Sequence, residues 1–341
     1  GGMTLGFYQE PQFSLSNPNR IYGAVTGTNN RTVGQYDFQT RTYTPIVDMD
    51  TIVSGLANTY LGVVMTGGTT QENMVVLFGG ESQDNHFLLM WSPIDNLGAR
   101  KILNTVTSTI NGVATNITLN IHLHSTMIDK SGRYVVFVTR ASDTAAPRSA
   151  PPIYVWDTNT DVITPITSAM LGNGHSIAGY GIWINQDCCT TTTWDGLQWQ
   201  FRYLSDPQRT SDLVNPVLLP KEIFIADHQT WNNSRPDALV PVISSTYRMN
   251  TDPWRAWDDE IIAVDTANGG GGITYRFAHH RSDARSDTDP TVTNFWYQPI
   301  ANVSPDGRYV IFTSNWEKTL GNDVADGTFR EDVFLVQLTP R

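Results

Sequence analysis

Four histidines recur at almost constant spacing: His124, His175, His228 and His280 are separated by 51, 53 and 52 residues. Imidazole nitrogens that converge on one point bind transition metals, and a single imidazole can act as a general base because its pKa lies near neutral pH. The same spacing also fits structural residues that occur once in each unit of a repeat protein. Metal ligand, catalytic base and structural residue are therefore three open interpretations.

Gln298 heads a stretch that extends this set. When Gly307 is aligned with Gly132, the stretch QPIANVSPDGRYVIFTS (298–314) resembles HSTMIDKSGRYVVFVTR (124–140), and both read as a short strand, a polar turn and then Gly-Arg-Tyr-Val-x-Phe. An amide oxygen at the head of this strand could complete a metal site. The metal hypothesis therefore names five ligands: His124, His175, His228, His280 and Gln298.

The elements that would position these residues follow from the repeat. A third copy, EPQFSLSNPNRIYGAVT, spans 10–26, and each copy continues into a further strand rich in aromatic and aliphatic residues. Short strands bounded by Gly, Pro, Asn and Asp clusters are typical of all-β proteins. Each unit is interpreted as a four-stranded meander of roughly fifty residues. Six units are predicted, at 10–50, 51–110, 118–170, 171–225, 226–280 and 281–338.

This organisation predicts an all-β fold, a β-propeller of four-stranded antiparallel blades in a single domain over 1–341. The count becomes seven if the weakly patterned region 51–118 holds two blades. The last unit lacks a fourth strand, and the segment MTLGFY (3–8) is expected to supply it and close the ring. The first strand of each blade then lines a central channel, so the repeated histidines are expected at the channel mouth.

Two long loops are expected on the same face, at 247–260 and 279–299. They carry aromatic and basic side chains, which suit sugar binding because rings stack on pyranose faces and Arg pairs with carboxylates. Packing of the same aromatic residues onto the propeller is the competing interpretation. The predicted ligand-binding residues are Trp254, Trp257, Trp296, Tyr297 and Arg255.

Composition limits the classes of partner. The 341-residue chain has a net charge of −11, a pI near 5.0 and only 16% charged residues. Nucleic-acid binding requires a basic surface, so it is excluded as a function. A sequence poor in charge and rich in Thr and Asn favours an extracytoplasmic location, and no apolar run is long enough for a membrane span. The adjacent Cys188 and Cys189 are either two thiols or a vicinal disulfide.

The SPDGRYVIFTS repeat (304–314) resembles that of TolB-like periplasmic propellers and of propeller polysaccharide lyases such as oligogalacturonate lyase. The lyase resemblance implies a divalent metal at the channel mouth, held by His and Gln side chains. That family carries a His-x-His pattern just before its SPDG turn, where this chain reads QPIANV (298–303). Gln298 is therefore retained and the histidine pair is absent; His122 and His124 have the His-x-His form in a different unit.

Two functions follow from these observations. The first is an extracytoplasmic propeller that binds a glycan or protein partner at its channel mouth. The alternative is an enzyme that cleaves a uronic-acid-containing glycan by β-elimination. In that reaction His175 or His228 would be the base, and Arg248 or Arg281 would neutralise the substrate carboxylate. The oligomeric state is left open.

Overall fold

A computed structural model describes most of the strands and several of the long loops. The described residues are 2–4, 12–13, 17, 19–26, 31–48, 60–62, 74–82, 85–93, 99–139, 153–166, 177–187, 198–214, 226–232, 240–248, 256–266, 274–289, 293–294, 297–324 and 327–338. Within these ranges the regular structure is β-sheet, and no α-helix occurs. The two cysteines lie outside them.

Six antiparallel meanders follow one another along the chain. Blade 1 contains β1 (Gly2–Thr4), β2 (Gln12–Phe13), β3 (Arg20–Thr26), β4 (Arg31–Asp37) and β5 (Thr42–Asp48). Blade 2 contains β6 (Tyr60–Gly62), β7 (Met74–Ser82), β8 (Asn85–Pro93) and β9 (Lys101–Asn104), extended by β10 (Thr109–Ile110) and β11 (Val113–Ala114). Blade 3 contains β12 (Leu123–Ile128), β13 (Tyr134–Thr139), β14 (Ile153–Asp157) and β15 (Val162–Ile166).

The second half of the chain repeats the pattern. Blade 4 contains β16 (Ile177–Ala178), β17 (Ile182–Asp187), β18 (Gln198–Tyr203) and β19 (Asp206–Val214). Blade 5 contains β20 (Ala226–Thr230), β21 (Val242–Tyr247), β22 (Glu260–Val264) and β23 (Thr274–His279). Blade 6 contains β24 (Ala301–Val303), β25 (Tyr309–Ser314) and β26 (Asp332–Gln337). The predicted β-propeller fold is confirmed, with six blades visible.

In the region that could have held an additional blade, the described strands form one sheet. The described strands between 60 and 114 all belong to the blade 2 meander, which joins blade 3 through a single residue pair, Leu123 with His86. The described strands therefore account for six blades.

Neighbouring blades pack through apolar faces because alternate side chains of each strand point to opposite sides of its sheet. One cluster joins blades 3 and 4 around Val136 and Trp183, and another joins blades 4 and 5 around Trp199 and Trp231. Blade 6 in turn packs on blade 1 through Ile311 and Ile21. Contact between the last blade and the first is what a ring of blades requires.

Strand closure of the ring stays a prediction. β1 pairs with β3 of blade 1, in the register Gly2 with Thr26, and not with β26. Residues 5–8 of the segment expected to complete blade 6 lie outside the described part of the chain. The assignment of 1–341 to a single domain also stays a prediction.

Candidate functional site

Three long loops lie at one end of blades 5 and 6. Strands of a meander alternate in direction, so the loop that leads into the first strand and the loop between the second and third strands share one end. These loops are the β21–β22 loop (248–259), the β23–β24 loop (280–300) and the β25–β26 loop (315–331). Together they are called the three-loop rim.

Beneath the rim, the inner strands β20 and β24 are joined by buried polar side chains. The Nε2 atom of His228 lies 2.9 Å from Oε1 of Gln298, and the two side chains are 1% and 8% exposed. Because an amide oxygen only accepts, Nε2 carries the proton in this arrangement and Nδ1 is the accepting nitrogen. The imidazole also stacks on Tyr247, with ring centroids 5.8 Å apart. Two of the predicted metal ligands therefore meet.

The same face of β20 continues this contact. The hydroxyl of Thr230 donates to the carbonyl of Ala301, and the side-chain amide of Asn232 donates to Oδ1 of Asn302 at 2.8 Å. The Ala301 N–H donates in turn to the hydroxyl of Ser245 at 2.7 Å. Buried bonds of this kind fix the spacing between blades 5 and 6, which holds His228 and Gln298 in place.

His280 has a different position from the one that its spacing predicts. It follows β23 directly, and β24 begins only at Ala301, so Gln298 rather than His280 precedes the inner strand of blade 6. Its Nε2–H donates to the Thr246 carbonyl at 2.6 Å, and its Nδ1 accepts the Ser282 N–H at 2.9 Å. Burial lowers the pKa of His280 to about 4. Both ring nitrogens therefore bond to backbone, one to β21 and the other to the β23–β24 loop.

The described donors do not fit a metal site. His228 and Gln298 bond each other directly, and His280 would have to give up a backbone bond to bind a metal. No group of three His, Cys, Asp or Glu side chains in the described ranges is arranged to hold an ion. Of the remaining predicted ligands, His175 lies outside the described residues, and only the backbone of His124, in β12, is described. No reaction step is derived through a metal.

Asp259 is a carboxyl group of the β21–β22 loop whose pKa is shifted by its surroundings. Burial raises its pKa to about 6, and the nearby charges of Asp258 and Asp283 act in the same direction. The Arg248 N–H donates to its Oδ1 at 2.9 Å and opposes the shift. The backbone is left-handed at Trp257 and at Asp259, with φ of 75° and 57°. A strained turn that carries a carboxyl titrating near neutral pH is a candidate functional feature.

The other two loops are locked together. The side chain of Asn315 accepts the Asp283 N–H and donates to the Asp283 carbonyl, both at 2.9 Å. The hydroxyl of Ser282 donates to the Tyr297 carbonyl at 2.7 Å. Lys318 donates to the Arg285 carbonyl at 2.7 Å. The β25–β26 loop is thus fixed on the β23–β24 loop.

Two of the predicted ligand-binding aromatic residues are structural in this arrangement. Trp257 is 6% exposed and belongs to the core between blades 4 and 5. Tyr297 is 2% exposed, and its hydroxyl donates to Asp287 at 2.6 Å, accepts the Phe329 N–H and has its pKa raised to about 12, mainly by burial. Trp254, Arg255 and Trp296 lie outside the described residues.

The two arginines predicted to neutralise a substrate carboxylate lie at separate positions of the rim. Arg281 is exposed and forms an ion pair with Glu317 at 2.8 Å. Arg248 lies beside Asp259, at the start of the β21–β22 loop. Arg281 therefore pairs with a carboxylate of the rim, and the backbone of Arg248 binds the carboxyl group of the β21–β22 loop.

Sequence reasoning missed three rim residues. Asp259 has no distinguishing spacing, and Trp316 lies just beyond the repeated stretch. Glu331 is the last residue of the β25–β26 loop, and burial raises its pKa to about 8. Only the length of the β25–β26 loop, from 315 to 331, could have pointed to Trp316 and Glu331.

No family model and no curated protein matches this chain. It is similar in structure to oligogalacturonate lyase from Vibrio parahaemolyticus, with 10% identity, a TM-score of 0.48, and coverage of 99% of this chain and 91% of that one. An oligogalacturonate lyase in complex with manganese has 12% identity and a TM-score of 0.46, with coverage of 99% of this chain and 90% of that one. TolB from Acinetobacter baumannii has 13% identity and a TM-score of 0.39, with coverage of 94% of this chain and 69% of that one. The similarity concerns the fold alone and transfers no residue role. No described helix is long and apolar enough to cross a membrane.

Proposed function

We propose that this chain is an extracytoplasmic propeller that binds a glycan or protein partner on the three-loop rim of blades 5 and 6. The observation that carries the proposal is the fixed geometry of the described part of the rim. Asn315 joins the β25–β26 loop to the β23–β24 loop, and His280 joins the β23–β24 loop to the end of β21. Loops that are ordered before binding lose little conformational entropy on binding. Long loops on a rigid scaffold are common binding surfaces.

The location outside the cytoplasm is supported by composition. Charged residues make up 16% of the sequence, below the roughly 25% typical of soluble domains. The net charge of −11 opposes polyanionic partners unless positive charge is concentrated locally. Along the described rim, Arg281 and Arg285 are each paired with a carboxylate. An uncharged or cationic partner is therefore favoured.

The test compares rim variants with a control at the opposite end of the propeller. Arg248→Ala and Asp259→Asn change the β21–β22 loop, and Asp206→Asn changes the exposed first residue of β19, next to its turn with β18. We measure retention on an array of neutral and acidic polysaccharides, and photo-cross-linking to a protein partner from position 281, an exposed residue of the β23–β24 loop. We expect at least fivefold weaker retention or cross-linking for the rim variants and no change for the control. Equal values for all four proteins would refute the proposal.

A second candidate function is β-elimination on a uronic-acid-containing glycan. It is favoured by the proximity of Arg248 to Asp259, a carboxyl group with a pKa of about 6, at the same end of the blade as His228. In this reaction a base removes the proton α to the substrate carboxylate, the bond to the departing sugar oxygen breaks, and an unsaturated uronate forms. His228 is the described candidate base, through Nδ1, and Arg248, whose charge lowers the pKa of Asp259, is the candidate cation for the substrate carboxylate.

Ultraviolet absorbance of unsaturated uronates during incubation with polygalacturonate tests the second candidate. We expect a lyase to produce this absorbance and His228→Gln to remove it while the circular dichroism of the chain stays unchanged. Metal analysis of the purified protein, with and without chelator, tests the divalent metal that the lyase resemblance implies. Absence of new absorbance with every added divalent metal would eliminate the lyase.

A further inference from the structure

Trp316 stands at the surface end of a stack of three aromatic rings. Phe312 in β25 and Phe334 in β26 are 5.4 Å apart and nearly parallel, and Phe334 and Trp316 are 5.0 Å apart at 30°. Phe312 is 6% exposed, whereas Trp316 is 37% exposed. The stack therefore holds an indole in a fixed orientation at the surface of the three-loop rim. A rigid aromatic surface costs little entropy when a ligand stacks on it.

The backbone that presents this indole is unusual. Trp316, Glu317 and Lys318 are three successive left-handed residues, with φ of 49°, 58° and 60°. Residues other than Gly rarely adopt this conformation, and runs of it are rarer because each position carries a steric cost. Strain of this kind persists only when the surroundings over-determine it, and it is concentrated at functional sites.

Several bonds maintain the left-handed turn. The Asn315 side chain accepts the Lys318 N–H at 3.2 Å, and the Ser314 hydroxyl accepts the Trp316 N–H at 2.9 Å. The Glu317 N–H donates to the carbonyl of Arg281, itself left-handed at 57°, at 2.6 Å. The turn is therefore built from both the β23–β24 and the β25–β26 loops, and its geometry is fixed before a ligand arrives.

Polar groups flank the indole. The guanidinium carbon of Arg281 lies 5.8 Å from its ring centroid, near the outer limit of a cation–π contact. Arg281 also pairs with Glu317 at 2.8 Å, and the two side chains are 52% and 60% exposed. An ion pair this exposed is weak, so either group can exchange its partner for a ligand hydroxyl. Donor, acceptor and aromatic face are thus presented side by side.

We propose that Trp316, Arg281 and Glu317 form a subsite for an uncharged pyranose ring, which deepens the proposed function and rests on it. The indole stacks on the apolar face of the sugar, Arg281 donates to a ring hydroxyl, and Glu317 accepts from one. Arg281 and Glu317 have opposite charges that cancel, which favours a neutral sugar over a uronate. In a protein–protein interface, a tryptophan that dominates binding is surrounded by contacts that exclude water. Charged, exposed groups surround this indole, so a sugar fits the site better than a protein partner.

The test uses cellohexaose and mannohexaose as neutral probes and hexagalacturonic acid as the acidic probe, measured by calorimetry and by saturation-transfer NMR. Trp316→Ala removes the stacking surface, and Trp316→Phe preserves an aromatic ring. Tyr275→Ala, at a 54% exposed aromatic on β23, is the matched control. We expect a neutral hexasaccharide to bind, with at least tenfold weaker affinity in Trp316→Ala, less than threefold change in Trp316→Phe and none in Tyr275→Ala.

Other results would overturn the subsite. The subsite would be refuted if neither neutral probe bound, or if wild type and Trp316→Ala bound a neutral probe with equal affinity. It would also be refuted if the acidic probe bound more tightly than the neutral probes and its affinity fell with added salt. Loss of partner binding in Arg248→Ala or Asp259→Asn, with Trp316→Ala unaffected, would refute the subsite and leave the proposed function standing. If neither those variants nor Trp316→Ala altered any binding, both proposals would fail.

Discussion

At the scale of single residues, the rim contains ionisable groups whose environments shift their pKa values in opposite directions. His280 is fully buried between two backbone groups, and its pKa is lowered to about 4. Asp259 and Glu331 have pKa values raised to about 6 and about 8, because burial disfavours their charged forms. The first shift makes folding less favourable in acid, and the other two make it less favourable as the pH rises.

His280 provides a prediction about pH dependence. Its ordinary pKa is near 6.5, so between pH 6.5 and about 4 the unfolded chain binds a proton that the folded chain does not. Its contribution to stability is therefore complete above pH 6.5 and is lost as the pH falls to 4, by on the order of 2–3 kcal/mol. We expect His280→Gln to have a smaller slope of unfolding free energy against pH in this window, measured by urea denaturation.

The exposed neighbour His279 is the control for this measurement, because its side chain is 63% exposed. His279→Gln is expected to retain most of the wild-type slope. The shifts of Asp259 and Glu331 are common to all three proteins and cancel in the comparison. An unchanged slope in His280→Gln would show that His280 is not buried as a neutral residue.

At the scale of elements, the turn between the first and second strands has the same backbone geometry in blades 3 and 6, but a different side chain stabilises it in each. Gly132 and Gly307 have φ of 77° and 70°, which only Gly adopts readily. In blade 3, both carboxylate oxygens of Asp129 accept bonds from the turn, and Oδ2 also accepts the Gly181 N–H of blade 4 at 2.8 Å. In blade 6 the hydroxyl of Ser304 takes this position. The blade 3 turn therefore also joins two blades.

Asp129 is expected to matter more for stability than the acidic residue of the blade 6 turn. Asp129→Ala leaves the N–H groups of Ser131, Tyr134 and Gly181 without their acceptor, so we expect a loss of about 2–4 kcal/mol in unfolding free energy. Asp306→Ala removes a carboxylate that is 32% exposed, and its loss is expected to stay below about 1 kcal/mol. Chemical denaturation measures both, and similar losses would contradict the inter-blade role of Asp129.

At the scale of the whole molecule, apolar clusters join blade 6 to blade 5 and to blade 1. Ile243 and Phe312 lie in the first of these clusters, and Ile311 and Ile21 lie in the second. The second cluster is small but links residues that are far apart in the chain. It therefore contributes contact between the two ends of the predicted ring, whatever strand completes blade 6.

A double-mutant cycle tests this contact. Ile21 and Ile311 are 3% and 1% exposed, and each change to Ala is expected to cost about 2–4 kcal/mol. If the side chains touch in solution, the double variant departs from additivity by about 0.5–3 kcal/mol. Ile21→Ala combined with Ile163→Ala, a core residue of blade 3, is the additive control. Strict additivity in both pairs would show that blades 1 and 6 do not pack together.

The repeat determines the blades because it is a local property. The Gly of a tight turn, alternating apolar residues and unit length specify each meander without reference to its neighbours. For this reason the meanders and the turns at Gly132 and Gly307 could be predicted from the sequence. Regular spacing was misleading at His280, because the long β23–β24 loop separates it from β24.

Contacts between blades depend on which strand faces approach each other, and spacing does not encode this. His228 meets Gln298 across 70 residues because inner strands β20 and β24 adjoin, while Trp257 is buried between two blades instead of facing solvent. The left-handed turn at Trp316 is stabilised by residues from two loops, so no local pattern indicates it. The sequence alone thus determined the repeating architecture, and the tertiary structure decided the site, because burial and orientation arise only when separate blades pack.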